Sequence, residues 1–213
     1  MPLIVLEGPE GAGKTTQAGL LASRLAGGPQ RVVSVREPGG TPLGDEIRRL
    51  LLDPVSEVGA SAESLLFMAS RAQLVERELR PALAAGAIVL MDRFFLSTYA
   101  YQVAGRGLPE ALVVAANRLA TGDLRADVTV LLSLPVEEGL ARAKRRGPHD
   151  RMEQADAEFH RRVASAFHEF ATPEWQSGHP EAGPVVTVDA RGNVGEVQAR
   201  VFAAVGAKLP ALV

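Results

Sequence analysis

A glycine-rich segment near the start of the sequence has the composition of a phosphate-binding loop. Residues 8–15 read GPEGAGKT and fit the pattern G-x-x-x-x-G-K-[ST]. Glycines let backbone N–H groups surround phosphate oxygens, and the helix predicted next directs its positive end at them. Lys14 is expected to contact the β- and γ-phosphates, and the Thr15 hydroxyl to bind magnesium. The segment therefore predicts a nucleoside triphosphate site formed by Gly8, Pro9, Glu10, Gly11, Ala12, Gly13, Lys14, Thr15 and Thr16.

Charged side chains follow two further short apolar runs of the sequence. Arg36 and Glu37 come after the second run, and Asp92 and Arg93 come after the third. An acid at this place can order magnesium or its waters, and the adjacent guanidinium can hold a phosphate. A surface ion pair is the alternative interpretation of Asp92 and Arg93.

An aromatic and a cationic side chain, Phe67 and Arg71, are four residues apart in a predicted helix. At that spacing they share one helix face. An aromatic plane beside a guanidinium can stack on a nucleobase and hydrogen-bond to its edge. The same spacing also fits a core phenylalanine with a surface arginine nearby, so the spacing alone leaves both interpretations open.

Strands and helices alternate along the chain and must position these groups. Short apolar runs rich in β-branched residues predict strands at Leu3–Leu6, Val32–Val35, Ile88–Met91, Val128–Leu134 and Val185–Val188. Helical spacing is found at Lys14–Leu25, Asp45–Leu52, Ala62–Ala85, Glu110–Ala120, Val136–Arg146, Ala155–Phe170 and Val194–Leu209. Pro81 is expected to kink or end the third helix. The alternation is typical of an α/β fold with a mostly parallel sheet, whose ligands bind at the carboxyl ends of the strands.

Length and composition exclude several classes of protein. At 213 residues one domain, residues 1–213, is expected, and the absence of cysteine excludes a disulfide scaffold or a cysteine-ligated metal. A formal net charge of -2 argues against a globally basic nucleic-acid binder. The apolar runs are far shorter than the roughly 20 residues of a membrane span, and no secretory leader is visible. We expect a cytoplasmic protein that binds neither nucleic acid nor membrane.

Four segments, in this order and spacing, resemble the thymidylate kinase family in its bacterial type. They are residues 7–16, 36–44, 67–73 and 92–102, and the resemblance extends over essentially the whole chain. It implies a P-loop nucleoside monophosphate kinase fold, with a five-stranded parallel sheet flanked by helices and a small lid. The activity implied is phosphorylation of dTMP to dTDP by ATP with Mg²⁺, in dTTP biosynthesis. A homodimer packed through helices is implied as well.

The resemblance also implies an acceptor site. Phe67 would stack on the thymine ring, Arg71 would donate to its O4, and Tyr101 would crowd the 2′ position of the sugar. Cytosine would present an amino donor to the same guanidinium and be rejected. The family's other acceptor contacts correspond to Glu7, Arg36, Arg48, Arg93, Ser97, Thr98 and Gln102. The family often has Tyr or His where this sequence has Phe94, so any hydrogen bond made there is lost or replaced by water.

A basic segment, residues 142–151, follows the fourth predicted strand and its helix. By itself such a run is typical of a solvated helix face. Because the phosphate loop carries Glu10 and no arginine, the resemblance implies instead a lid, at about residues 142–152, that supplies the catalytic arginines. The candidates are Arg146 and Arg151 for catalysis, Arg142 near the adenine, and Lys144 or Arg145 as helpers.

The chemistry expected is in-line transfer of the γ-phosphoryl group. An acceptor phosphate oxygen is anionic near neutral pH, so catalysis comes from positioning and charge stabilisation by Lys14, Arg93, Arg146 and Arg151. One alternative is another P-loop nucleoside or nucleotide kinase, acting for example on dCMP or thymidine. The other is an NTP-binding regulatory module, which the absence of an Asn-Lys-x-Asp motif disfavours.

Overall fold

A parallel β-sheet forms the centre of the molecule, in a computed structural model that describes residues 1–145 and 150–212. Its strands are β1 (Leu3–Glu7), β2 (Val32–Arg36), β3 (Ile88–Asp92), β4 (Val128–Ser133) and β5 (Val185–Asp189). They lie in the order β2-β3-β1-β4-β5, and all the pairs are parallel. The predicted fold class is confirmed. Since β1 is central, the loop that follows it lies at the middle of the sheet's carboxyl edge.

Helices cover both faces of this sheet. In chain order they are α1 (Lys14–Leu25), α2 (Pro42–Leu52), α3 (Ala60–Leu74), α4 (Arg80–Ala84), α5 (Phe95–Thr98), α6 (Glu110–Thr121), α7 (Val136–Lys144), α8 (Ala157–Glu169), α9 (Pro173–Gly178) and α10 (Val194–Lys208). Among the described residues, no helix has the length and apolarity that crossing a membrane requires.

Successive side chains of β1 enter two separate hydrophobic cores. Leu3 and Val5 belong to the core that includes α8, whereas Ile4 and Leu6 belong to the core formed with α1 and α10. All four are almost completely buried. A strand covered on both faces needs apolar residues at every position, which explains the continuous apolar run in the sequence.

The long helix predicted at Ala62–Ala85 is interrupted by a π-helical turn. After α3 the backbone widens at Val75–Leu79, where the N–H of Arg80 bonds to the carbonyl of Val75, and it resumes as α4. Pro81 lacks an N–H and its ring crowds the preceding turn of a regular helix. A widened turn relieves that crowding, so the helical path continues past the proline.

Two helical segments have no counterpart in the sequence-based prediction. One is α5 with the π-helical stretch Tyr99–Gly105 that continues it, and the other is α9. The first is rich in aromatic and β-branched residues, which weaken a helical pattern. It is stabilised instead by tertiary contacts, since Tyr99 and Ala100 are buried in the α8 core.

Candidate functional site

A cavity of about 460 Å³ opens at the carboxyl edge of the sheet. It is lined by Glu10, Gly11, Gly13, Lys14, Thr15, Thr16, Arg36, Glu37, Pro38, Arg48, Leu52, Phe67, Arg71, Asp92, Arg93, Ser97, Thr98, Tyr101, Gln102, Arg142, Asp150, Met152 and Glu153. Most of the side chains expected at the nucleotide and acceptor sites therefore meet in one place.

The phosphate loop connects β1 to α1 with its backbone donors open. Gly13 precedes α1 in the left-handed conformation, with φ 90°, and among residues 1–145 and 150–212 no side chain caps the first turn. These N–H groups are free to bind an anion. The Lys14 ammonium donates to the carbonyls of Gly8 and Pro9, at 3.0 and 2.7 Å. Burial, and then the nearby charge of Arg93, lowers the Lys14 pKa from 10.5 to about 8.

Helix α7 packs directly against the phosphate loop through a pair of glycines. A Cβ on Gly11 would lie 2.0 Å from the carbonyl oxygen of Gly139, and a Cβ on Gly139 would lie 2.3 Å from that of Glu10. Gly11 also has a φ of 73°. Only glycine is compatible with either position, so the shape of the loop depends on α7 as well as on its own sequence.

A hydroxyl and a carboxylate lie side by side at the edge of the loop. Thr15 Oγ1 donates to Asp92 Oδ2 at 2.5 Å. Magnesium in nucleotide sites takes oxygen ligands from one or two such side chains and completes its shell with water and phosphate. The donor chemistry of this pair fits magnesium. Among the described residues no group of three or more His, Asp or Glu side chains forms a separate metal cage.

Three arginines converge on the acceptor side of the cavity. Arg36 ends β2 beside Asp92, Arg48 donates to the carbonyl of Pro38 at 3.0 Å, and Arg93 follows β3. Burial, and then repulsion from Arg36, lowers the pKa of Arg48. Like charges gathered in one cavity favour an anionic ligand.

Arg93 is held in a strained and well-defined position. Its φ is 72°, which is rare outside glycine. Its guanidinium donates to Glu10 Oε2 at 2.9 Å and to Ser97 Oγ at 3.0 Å, and lies 5.2 Å from the centroid of the Tyr101 ring. These contacts connect the phosphate loop with the segment expected to contact the sugar. Burial raises the Tyr101 pKa to about 12, so the phenol remains protonated.

Phe67 and Arg71 share one face of α3, and both line the cavity. Arg71 is only 2% exposed and is held at each of its nitrogens. Its acceptors are the carboxylate of Glu37, Thr98 Oγ1 at 2.8 Å, Asn117 Oδ1 at 2.7 Å and the carbonyl of Phe94 at 2.8 Å. A contact from Arg71 to a base must therefore replace or share one of these bonds.

Glu7 and Phe94 lie beneath the cavity rather than in its lining. Glu7 is fully buried and accepts from the N–H of Phe94 at 2.7 Å, from the N–H of Ser97 at 3.1 Å and from its hydroxyl at 2.7 Å. Phe94 is also fully buried, with its ring edge-to-face against Phe95. A polar atom at the Phe94 position would be enclosed in this core. Glu7 holds the start of α5 in place, beside the cavity.

The basic segment is divided between two environments. Arg142 lies at the cavity, donating to the carbonyl of Ala190 at 3.2 Å and to Glu138 at 2.6 Å. Arg151 does not line the cavity. It donates to the carbonyl of Leu51 at 2.8 Å and forms an ion pair with Glu63 at 2.7 Å. Arg146 lies outside the described residues.

Several residues of the site were missed by the sequence analysis. Asn117 on α6 holds Arg71, and Glu63 on α3 holds both Gln102 and Arg151. Glu63 could have been found, since it lies one helical turn before Phe67 on the same face. Asn117 is distant in sequence and carries no comparable signal. Asp150 and Met152, which line the cavity, were assigned only to the lid as a whole, and Glu153, which also lines it, was not assigned.

Comparison with known proteins gives one consistent result. The Thymidylate kinase family model matches residues 6–201. Thymidylate kinase from Deinococcus radiodurans is 48% identical over 202 residues, covering 95% of each chain. Thymidylate kinase from Synechococcus sp. (strain JA-2-3B'a(2-13)) is 47% identical over 209 residues, covering 97% of this chain and 95% of its own. The crystal structure of thymidylate kinase from Ehrlichia chaffeensis superposes with a TM-score of 0.74 at 30% identity, covering 96% of this chain and 97% of that chain. With this agreement of fold, loop and cavity, the chain belongs to the thymidylate kinase family.

Proposed function

We propose that this protein transfers the γ-phosphoryl group of ATP to the phosphate of dTMP, giving dTDP. One observation carries the proposal: a phosphate loop, three arginines and a stacking phenylalanine all line a single cavity. A regulatory NTP-binding module needs no second anion site beside its loop. A kinase that acts on a monophosphate needs both sites, with the two phosphates adjacent.

The nucleotide and acceptor ends of the cavity follow from these contacts. ATP binds with its phosphates over residues 8–16 and its adenine near Arg142, which contacts the loop after β5. The phosphate of dTMP binds among Arg36, Arg48 and Arg93. The base lies against Phe67, near Arg71, Thr98 and Gln102, and the sugar lies near Ser97 and Tyr101.

Magnesium is expected to bind through Thr15 and Asp92, directly or through water. When bound, it neutralises charge on the triphosphate and orients it. The chain's own part is to hold the two oxygen ligands together, as their hydrogen bond does in this structure.

Transfer relies on positioning and positive charge. Lys14 leaves the carbonyls of Gly8 and Pro9 to contact the triphosphate, and Arg93 holds the acceptor phosphate in line with it. Charge on the transferring group is stabilised by these cations. Arg146 and Arg151 remain the proposed catalytic arginines of a lid at about residues 142–152, although Arg151 must first break its ion pair with Glu63.

A homodimer, packed through α3 and α6, completes the proposal. These helices contact each other, and they carry three exposed leucines, Leu65, Leu112 and Leu119, with 64%, 68% and 87% exposure. Burial of such side chains favours association. A sedimentation mass near 22.5 kDa at micromolar concentration would contradict the dimer. We expect one kinase domain over residues 1–213, acting in the cytoplasm.

The proposal is tested by a coupled assay of ADP release with a panel of acceptors. ADP release should depend on the acceptor, and dTMP should be used more efficiently than dCMP, dAMP, dGMP or thymidine. Faster turnover of dCMP or thymidine would instead support the alternative kinases. Hydrolysis that is independent of any acceptor would support the regulatory module.

A further inference from the structure

A buried carboxylate on α3, Glu63, joins the base end of the cavity to the residues that follow the basic segment. Glu63 is 0% exposed. Its Oε1 accepts from Gln102 Nε2 at 3.2 Å and from Arg106 Nε at 3.1 Å. Its Oε2 accepts from Arg106 Nη2 at 2.9 Å and from Arg151 Nη2 at 2.7 Å. Four donors thus surround one carboxylate that makes no contact with the cavity itself.

The surroundings of Glu63 keep it ionised. Burial favours the neutral form, but the hydrogen bonds and charges of Arg106 and then Arg151 outweigh it and hold the Glu63 pKa below its usual range. An ionised carboxylate can only accept hydrogen bonds. The side chain that faces it must therefore present a donor.

This requirement fixes the amide of Gln102. The amide NH₂ must face Glu63, so the carbonyl oxygen Oε1 must point elsewhere. Gln102, in the π-helical stretch after α5, is 2% exposed and lines the same cavity as Phe67. The polar atom that Gln102 can offer to a base stacked on Phe67 is therefore an acceptor.

We infer that Glu63 is a positioning residue for base selection, because it holds the Gln102 amide with its oxygen towards the base. The inference rests on the proposed function. Thymine and uracil carry a hydrogen on N3 and can donate to this oxygen. Cytosine carries a lone pair on N3, which the oxygen repels. The selection adds to that expected from Arg71, and it acts through a residue that does not touch the substrate.

The test is Glu63→Gln, with kcat/KM measured for dTMP, dCMP and dUMP. The new amide at position 63 can donate to the carbonyl oxygen of Gln102. Gln102 can then turn this oxygen away from the base. We expect the dTMP to dCMP ratio of kcat/KM to fall about tenfold, as discrimination by a buried hydrogen bond is lost. The dTMP to dUMP ratio should stay within about twofold, since both bases donate from N3. Neither ratio depends on the fraction of folded enzyme.

Arg106→Gln is the matched control. It removes two of the hydrogen bonds to Glu63 but keeps the one from Gln102. We expect a lower thermal stability with both ratios near wild type. If Glu63→Gln does not accumulate as folded protein, Glu63→Leu combined with Arg106→Leu removes the carboxylate together with one of its cations, a change that proteins often tolerate. The same fall in the dTMP to dCMP ratio is expected.

The outcomes separate the inference from the proposed function. A wild-type enzyme without a preference for dTMP over dCMP would contradict the proposed function. A wild-type preference that survives unchanged in the Glu63 variant would overturn the inference and leave the proposed function standing. Equal falls in both ratios would also overturn it, since they indicate a general distortion of the cavity.

Discussion

Replacing Lys14 by methionine removes a buried ammonium group from the phosphate loop. The ammonium donates to the carbonyls of Gly8 and Pro9, and its pKa falls from 10.5 to about 8 as a result of burial and then of the Arg93 charge. Each pH unit between these values is about 1.4 kcal/mol, so the charged form costs about 3 kcal/mol of stability at pH 7. Methionine avoids this cost, although it leaves the two carbonyls without their donor.

The pH dependence of stability separates the effect of the Lys14 charge from the effect of its lost hydrogen bonds. A lysine whose folded-state pKa is depressed destabilises the protein below that pKa, and the cost disappears as pH rises from about 8 to 10.5. The stability of wild type relative to Lys14→Met should therefore increase by about 2 kcal/mol between pH 7 and about pH 9.5. The carbonyls lose their donor equally at both pH values, so that loss cancels.

The assay is urea denaturation of the nucleotide-free proteins at the two pH values. Lys208→Met is the control, because Lys208 is exposed. The difference in unfolding free energy between wild type and Lys208→Met should change by less than about 0.5 kcal/mol between the two pH values. The chain has no cysteine and only one other lysine, Lys144, so few groups titrate in this range. If the difference in unfolding free energy between wild type and Lys14→Met does not change with pH, the Lys14 pKa is not depressed in the folded protein. Phosphoryl transfer should be lost in the variant at either pH.

Three further substitutions test separate parts of the site. Gly139→Ala places a Cβ 2.3 Å from the carbonyl oxygen of Glu10. The clash distorts the phosphate loop, so KM for ATP should rise at least about fivefold while KM for dTMP stays constant. Equal effects on both constants would contradict this. Phe67→Ala removes the stacking surface and should raise KM for dTMP about tenfold with KM for ATP unchanged, and an unaltered KM for dTMP would exclude stacking. Arg151→Ala frees the buried Glu63 and should lower the free energy of unfolding by about 2 kcal/mol. As a proposed catalytic arginine, its replacement should also lower kcat more than tenfold. A kcat near wild type would remove Arg151 from the catalytic set, and unchanged stability would contradict the role of its ion pair.

The strands and the phosphate loop could be predicted because local sequence determines them. A strand buried on both faces requires a continuous apolar run, and each of the five predicted strands is present within one residue at either end. Helix α1 begins and ends where its pattern predicts, directly after the glycines of the loop. Phe67 and Arg71 share a face because helical periodicity leaves no other arrangement.

What the sequence could not predict depends on contacts between distant residues. Arg71 is held by Glu37, Asn117 and the carbonyl of Phe94, which lie on three other segments. Periodicity on α3 alone could not show that its guanidinium is so fully engaged. The position of Arg151 depends in the same way on Glu63, so the arginine expected at the phosphates is instead found packed against α2 and α3.

Transfer of the γ-phosphate of ATP to dTMP can be measured in a competition experiment. The enzyme is incubated with γ-labelled ATP and Mg²⁺ in the presence of equal concentrations of dTMP, dCMP, dUMP and thymidine, and the labelled products are separated. Most of the label should appear in dTDP. Label found mainly in dCDP, in dTMP formed from thymidine, or in inorganic phosphate would contradict it.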